Sequence, residues 1–175
     1  MSPFIRAASQ ADISAITRIY ADAVEHGTAS FELEPPSEAE MARRMQELTN
    51  IGFPYLAADV DGTLAGYAYA GPYRSRPAYR FTVENSVYVA PEAQGRGVGR
   101  ALLKALIEAA ERSGYRQMIA VIGDSGQTAS IALHAALGFA YVGTLPHVGF
   151  KFGRWLDTVL MQRSLGSGST SAPAG

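Results

Sequence analysis

Val83-Glu84-Asn85-Ser86-Val87-Tyr88-Val89, then Gln94-Gly95-Arg96-Gly97-Val98-Gly99-Arg100, then ALLKALIEAAERS over 101–113, is the stretch on which the fold turns. Val83, Val87 and Val89 alternate with Glu84, Ser86 and Tyr88, and a period of two with β-branched residues marks an extended segment. Pro91 ends it. Glycines at 95, 97 and 99 leave backbone N–H groups bare of side chains, so the turn can wrap a phosphate. Leu102, Ala105, Leu106, Ala109 and Ala110 then recur at helical spacing, with Gly114 as C-cap. The helix therefore begins on the glycines. Its free N–H groups and dipole, worth about 0.3 to 1 kcal/mol to a nearby anion, point at whatever the turn holds, and Arg96 and Arg100 add full charges.

Such a turn calls for a phosphorylated ligand, and two familiar phosphate loops do not match it. A Walker A loop needs GxxxxGK before Ser or Thr, yet no lysine occurs before Lys104, inside the helix. The dinucleotide fingerprint GxGxxG fails as well: from Gly95 its last position is Arg100, from Gly97 it is Leu102. What remains, Gln-x-x-Gly-x-Gly between a strand and a helix, resembles the pyrophosphate loop of the GNAT superfamily of acyl-CoA-dependent N-acetyltransferases.

Composition sets the outer bounds. At 175 residues, 47% hydrophobic and 18% charged, the chain suits one compact α/β domain that buries roughly 70% of the surface its unfolded form exposes. A net charge of −1 with no like-charge run beyond a pair gives neither a nucleic-acid stripe nor a polybasic membrane patch. No apolar stretch approaches about 18 residues and no signal-peptide pattern opens the chain, so a soluble, cytoplasmic protein is expected. Zero cysteines exclude a thiol nucleophile, so acyl transfer is direct or passes through another residue type. The low-complexity end at 166–175 is expected to be a disordered tail after a single domain over 3–165.

From the start, 4–7 is a strand candidate. Ser9 and Asp12 then stand at capping distance before Ile13, Ile16, Ile19, Tyr20, Ala23 and Val24, an amphipathic helix ending near His26-Gly27. Ser37 and Glu40 open a second helix that runs to Asn50. Tyr55 to Val60 and Leu64 to Ala70 are antiparallel strands around the hairpin signal Asp61-Gly62. After the central unit, 117–122 is a buried strand, parallel to 81–89 through a right-handed crossover. A short helix over 128–137 follows, and 139–143 and 156–163 are the last strands, separated by a loop over 145–155. The fold class is α/β with a mixed sheet of about seven strands and helices on both faces, in the GNAT order of elements.

The resemblance narrows at Gly71-Pro72-Tyr73-Arg74 to Tyr79, at the strand Glu84-Asn85-Ser86-Val87-Tyr88-Val89, and at Leu133-His134-Ala135-Ala136-Leu137-Gly138-Phe139. Together these are similar to the phosphinothricin and methionine sulfoximine acetyltransferase subfamily. The resemblance implies acetyl-CoA as cosubstrate and a homodimer whose interface borders the site. It implies that the N–H groups of Gln94, Gly95, Arg96, Gly97, Val98 and Gly99, with the Arg96 and Arg100 side chains, surround the pyrophosphate. The pantetheine arm would pair with the backbone of Val87, Tyr88 and Val89, with the Val89 N–H on the acetyl oxygen. Gln127 stands where the family more often has an asparagine on the pantetheine, and Ser130 is placed to share that role.

Acetyl transfer to an amine needs a base, because a protonated amine has no lone pair, and Glu84 on the central strand is the candidate, worth about 10² to 10⁴ in rate. Its plain alternative is a solvated strand-face glutamate. His134 replaces the tyrosine that many GNAT enzymes use to protonate the leaving sulfur. It is read either as that acid or as a histidine satisfied by a backbone carbonyl. His26, His134 and His147 have no metal-ligand spacing, so no metal is expected. Arg74, Arg76 and Lys151, with Tyr79 and the apolar wall Phe31, suit an anionic amino-acid analogue rather than an aminoglycoside or polyamine. Three rival readings remain. Gly123-Asp124-Ser125-Gly126 resembles a serine-protease nucleophile segment, but it follows a parallel strand and a GxSxG elbow is absent. A non-catalytic acyl-CoA sensor would keep the glycine loop and lose Glu84 and His134. A GNAT enzyme acting on another amine, such as a protein N-terminus, would keep both.

Overall fold

The computed structural model describes residues 2–174. In chain order it contains β1 (Phe4–Ala7), α1 (Ile13–His26), α2 (Glu38–Asn50), β2 (Tyr55–Val60), β3 (Thr63–Pro72), β4 (Thr82–Val89), α3 (Val98–Arg112), β5 (Gln117–Gly123), α4 (Thr128–Ala136), β6 (Ala140–Lys151) and β7 (Arg154–Ser164). One seven-stranded sheet runs β1-β2-β3-β4-β5-β7-β6. The pair β4–β5, bridged by the α3 crossover, is parallel and the other pairs are antiparallel.

Local chemistry explains the elements. The Ser9 backbone N–H donates to the Asp12 carboxylate at 2.7 Å ahead of α1, and the Ser37 hydroxyl accepts the Glu40 N–H at 3.2 Å at the start of α2. Asp61 and Gly62 both take positive φ, as a tight hairpin between β2 and β3 requires. Ile16 on α1 and Leu102, Leu103 and Leu106 on α3 have no exposed surface. Each such side chain contributes roughly 1.5 to 3 kcal/mol by leaving water.

Alternation along β4 sorts its side chains onto two faces. Tyr88 packs edge-on against Tyr20 of α1, so Glu84, Ser86 and Tyr88 face α1 and α2. Asn85 reaches His134 of α4, so Val83, Asn85, Val87 and Val89 face α3 and α4.

Pairing between β4 and β5 runs only from Thr82↔Gln117 to Asn85↔Ala120. Beyond it β4 stays paired with β3 as far as Gly66↔Val89, and β5 with β7 as far as Gly123↔Thr158. The two central strands therefore part, leaving a wedge whose β4 edge is Ser86 to Val89.

One sequence expectation is corrected. The segment 145–155, read as a loop, is the end of β6, a turn at Phe152-Gly153 and the start of β7. Pro146, His147 at φ 57° and Gly149 give it a loop's composition, and the ladder absorbs them as an irregularity between Leu145 and Gly149. Residues 166–174 carry no helix or strand, and Arg116 donates to the Gly168 and Ala172 carbonyls at 3.1 and 3.0 Å. Gly175 lies outside the described residues.

Candidate active site

A groove of about 700 Å³ follows the wedge from the glycine loop to Gly123 and His134. At its outer end Gly95 and Gly97 hold φ of 73° and 80°, a backbone that strains any residue with a Cβ. Gly97 is the N-cap of α3, and the first backbone bond of that helix is from Ala101 N–H to Gly97 O at 3.0 Å. The N–H groups of Val98, Gly99 and Arg100 therefore lack a carbonyl within the helix and are free to bind an anion together with its dipole. Gln94, Gly95, Gly97, Val98, Gly99 and Arg100 border the groove, as do Val87, Tyr88 and Val89 along the parted edge and Gln127, Ser130 and His134 opposite. Arg96, on the same turn, is exposed and lies 3.3 Å from Asp61 on the surface.

His134 is buried, and both its ring nitrogens are engaged. Nδ1 lies 2.8 Å from the Ser130 carbonyl, which can only accept, so the ring proton sits on Nδ1. Nε2 then accepts from Asn85 Nδ2 at 2.8 Å. Burial holds the imidazole below its usual pKa, and the bond to Ser130 opposes this only in part. The neutral ring's one proton is thus held by the Ser130 carbonyl while its other nitrogen accepts from Asn85, the arrangement of a histidine satisfied by a backbone carbonyl. Asn85, unnoticed in the sequence reading, is the residue this ring orients. Its signal was there: it is the polar member of the parity held by Val83, Val87 and Val89.

Glu84 lies on the opposite face of β4 and is half-buried. Burial raises its pKa, and Arg74 pulls it back in part. Arg74 is exposed and stacks over Tyr73 at 4.7 Å, with Tyr79 edge-on to Tyr73 at 5.7 Å; Arg76 is exposed. These residues cluster at the Glu84 end of β4, outside the groove lining. Lys151 is not open to a substrate: it is 4% exposed, and its Nζ donates to the Gly27 and Ser30 carbonyls at 2.9 and 2.8 Å. Gln127 Nε2 donates to Thr28 Oγ1 at 2.9 Å, so that amide ties one wall of the groove to another. Phe31 lies against Gly123 and Gly149. Among the described residues no cluster of three His, Cys, Asp or Glu could hold a metal.

A sheet that parts beside a glycine cradle, with a helix N-terminus at the outer end of the cleft and a strand edge along it, defines an acetyl-CoA-dependent N-acetyltransferase. The chain belongs to the acetyltransferase (GNAT) domain family, which matches residues 5–160. It is 57% identical to a phosphinothricin N-acetyltransferase of Alcaligenes faecalis over 169 residues, 97% of this chain and 86% of that protein. It is 44% identical to an L-methionine sulfoximine/L-methionine sulfone acetyltransferase of Salmonella typhimurium, over 92% of this chain and 94% of that one. A crystal structure of a phosphinothricin acetyltransferase from Sinorhizobium meliloti in complex with acetyl-CoA superposes with a TM-score of 0.96 at 50% identity, covering 99% and 94% of the two chains. No helix of the described residues is long and apolar enough to cross a membrane.

Proposed function

We propose that this N-acetyltransferase acts on the α-amino group of small anionic amino-acid analogues of the phosphinothricin, methionine sulfoximine and methionine sulfone type, by direct transfer. The observation that carries this reading is the half-buried Glu84 beside the exposed Arg74, a proton acceptor next to a cation suited to a carboxylate. The acceptor names come from the relatives above.

The cosubstrate supplies an acyl carbon already activated as a thioester. The chain's own residues do the rest. The N–H groups of Gln94 to Gly99 and the Arg96 and Arg100 side chains hold the pyrophosphate; Val87, Tyr88 and Val89 offer a strand edge to the arm; and the Val89 N–H orients the acyl oxygen, a donor worth about 10² in rate. Arg74 and Arg76 hold the acceptor carboxylate, with Phe31 and Tyr79 as walls. Glu84 takes the ammonium proton, directly or through a water, and the freed lone pair attacks the acyl carbon; as the carbon–sulfur bond breaks the coenzyme leaves as a thiolate that takes the second nitrogen proton, so the products are the N-acetyl amide and the free thiol. Absence of cysteine leaves no acyl-thiol intermediate on the protein. His134 orients Asn85 in this scheme, and Ser130 and Gln127 brace the groove.

The domain spans 3–165, works in the cytoplasm and pairs as a homodimer. In support of pairing, Val148, Phe150, Phe152 and Trp155 on the β6–β7 hairpin are 54%, 57%, 56% and 61% exposed in the monomer. Thiol release from acetyl-CoA, measured with phosphinothricin, methionine sulfoximine, methionine sulfone, an aminoglycoside and an N-terminal peptide, tests the reading. Turnover confined to the first three is expected, and turnover confined to the last two overturns it.

A further inference from the structure

Between α1 and Glu32 the chain forms neither helix nor strand, yet it is held firmly across the end of β5. Lys151 caps the carbonyls of Gly27 and Ser30. Thr28 receives the Gln127 amide and donates to Asp124 at 3.0 Å, and Arg154 anchors Asp124 at 2.9 Å. Gly27, Ala29 and Gly123 border the groove, so this strap is a wall of the wedge.

The strap ends in Phe31, whose ring sits in a slot between two glycines. A Cβ on Gly149 would stand 2.4 Å from the ring, and one on Gly123 would stand 2.7 Å from it and 2.5 Å from the Thr28 carbonyl. Carbon atoms rest about 3.5 to 4.0 Å apart, so neither position accepts a side chain while the ring is in place. Gly149 is not among the residues of positive φ, and the three nearest neighbours of its added Cβ are all atoms of the Phe31 ring. Room for that ring, rather than backbone freedom, is what glycine provides at 149.

We propose that Gly149 and Lys151, both on β6, are positioning residues for the acceptor: one makes room for the Phe31 ring, the other fastens its strap, and together they set the size of amino-acid side chain the enzyme takes. This rests on the reading that Phe31 borders a small amino-acid acceptor. Neither residue borders the cofactor groove. Alanine at 149 displaces the ring from its slot and with it the strap that walls the wedge, so longer acceptors are lost before shorter ones.

The test is steady-state kinetics on the full chain, with methionine sulfone, methionine sulfoximine and phosphinothricin beside shorter amino acids, for wild type, Gly149→Ala, Phe31→Ala, the double variant and Lys151→Met. Gly149→Ala is expected to raise the KM of the longer acceptors about tenfold, with the KM of acetyl-CoA unchanged within about twofold. In the Phe31→Ala background the same change has no further effect, because the atoms it would strike are gone. Lys151→Met moves the acceptor KM in the same direction. The inference falls if Gly149→Ala leaves the acceptor series unchanged, if both KM values rise together, or if the two single effects multiply in the double variant. A wild-type enzyme that turns over none of these acceptors overturns the functional reading, and this inference with it.

Discussion

Asn85 donates its amide N–H to His134 Nε2 at 2.8 Å, and the same imidazole is fixed from behind by its Nδ1–H on the Ser130 carbonyl. The chain of bonds has one polarity, since the carbonyl at its end can only accept. His134 is therefore expected to stay neutral, as the Nδ1–H tautomer, below the pH at which an exposed histidine charges, about 6.5. Nitrogen chemical shifts of the ring through a pH titration check this. The group around it offers no charge: Asn85, the Ser130 carbonyl and the edge-on Phe139 ring.

Burial of the same ring has a stability consequence. The unfolded chain takes up the His134 proton near its usual pKa, whereas the folded chain resists until lower pH, so between the two values the unfolded state binds more protons. The contribution to stability is whole above about 6.5 and is lost as pH falls toward the depressed folded value. Denaturation midpoints against pH are expected to fall through this window in the wild type and to fall less steeply in His134→Gln.

Gly97→Ala tests the cradle. Its φ of 80° strains any L residue, and a left-handed non-glycine residue costs about 1 to 2 kcal/mol. An added Cβ meets nothing in the protein within 4 Å, so the fold survives with a thermal midpoint lowered by a few degrees, about 2 to 8 °C. The methyl instead sits on the open turn whose N–H groups are proposed to hold the pyrophosphate. A rise of about tenfold or more in the KM of acetyl-CoA is expected, with the acceptor KM little changed.

Local signals carried most of the architecture. The β-branched alternation at 83–89, the Asp61-Gly62 turn and the Ser37–Glu40 cap each act within a few residues, and each element stands where those signals put it. The long hairpin at 140–164 was obscured because Pro146 and Gly149 are loop residues by composition and only the register with β7 absorbs them. The glycine loop was legible because its backbone conformation is local. Roles that depend on distant partners were not. Lys151 looked like a free cation until the Gly27 and Ser30 carbonyls, more than a hundred residues away in sequence, were seen to cap it.

The β6–β7 hairpin predicts the assembly. Phe150 and Trp155 pack edge-on at 5.2 Å with both side chains more than half exposed, an apolar face on the last two strands at one edge of the sheet. Sedimentation velocity is expected to give a dimer for the wild type. Trp155→Glu places a charge on that face, and a monomer with an unchanged circular dichroism spectrum should result.

Glu84 and Arg74 give the sharpest pH prediction. The proposed reaction needs Glu84 as a carboxylate. Burial disfavours that charged form and raises the pKa above the usual carboxylate value, while the Arg74 charge favours it and pulls the value back. The ascending limb of kcat/KM with pH is therefore expected above the ordinary glutamate value of about 4.3. Arg74→Ala removes the attraction, so the Glu84 proton is held more tightly and the limb moves to higher pH, together with a rise in the acceptor KM as the carboxylate loses its partner. Arg74→Lys keeps the charge and should keep the limb where it was, even if it does not restore the KM. Glu84→Gln keeps the shape and removes the base: transfer should fall by about 10² while acetyl-CoA affinity, read by calorimetry, holds within about twofold. A limb that stays put in Arg74→Ala separates the two residues, and full transfer in Glu84→Gln assigns the proton to another group.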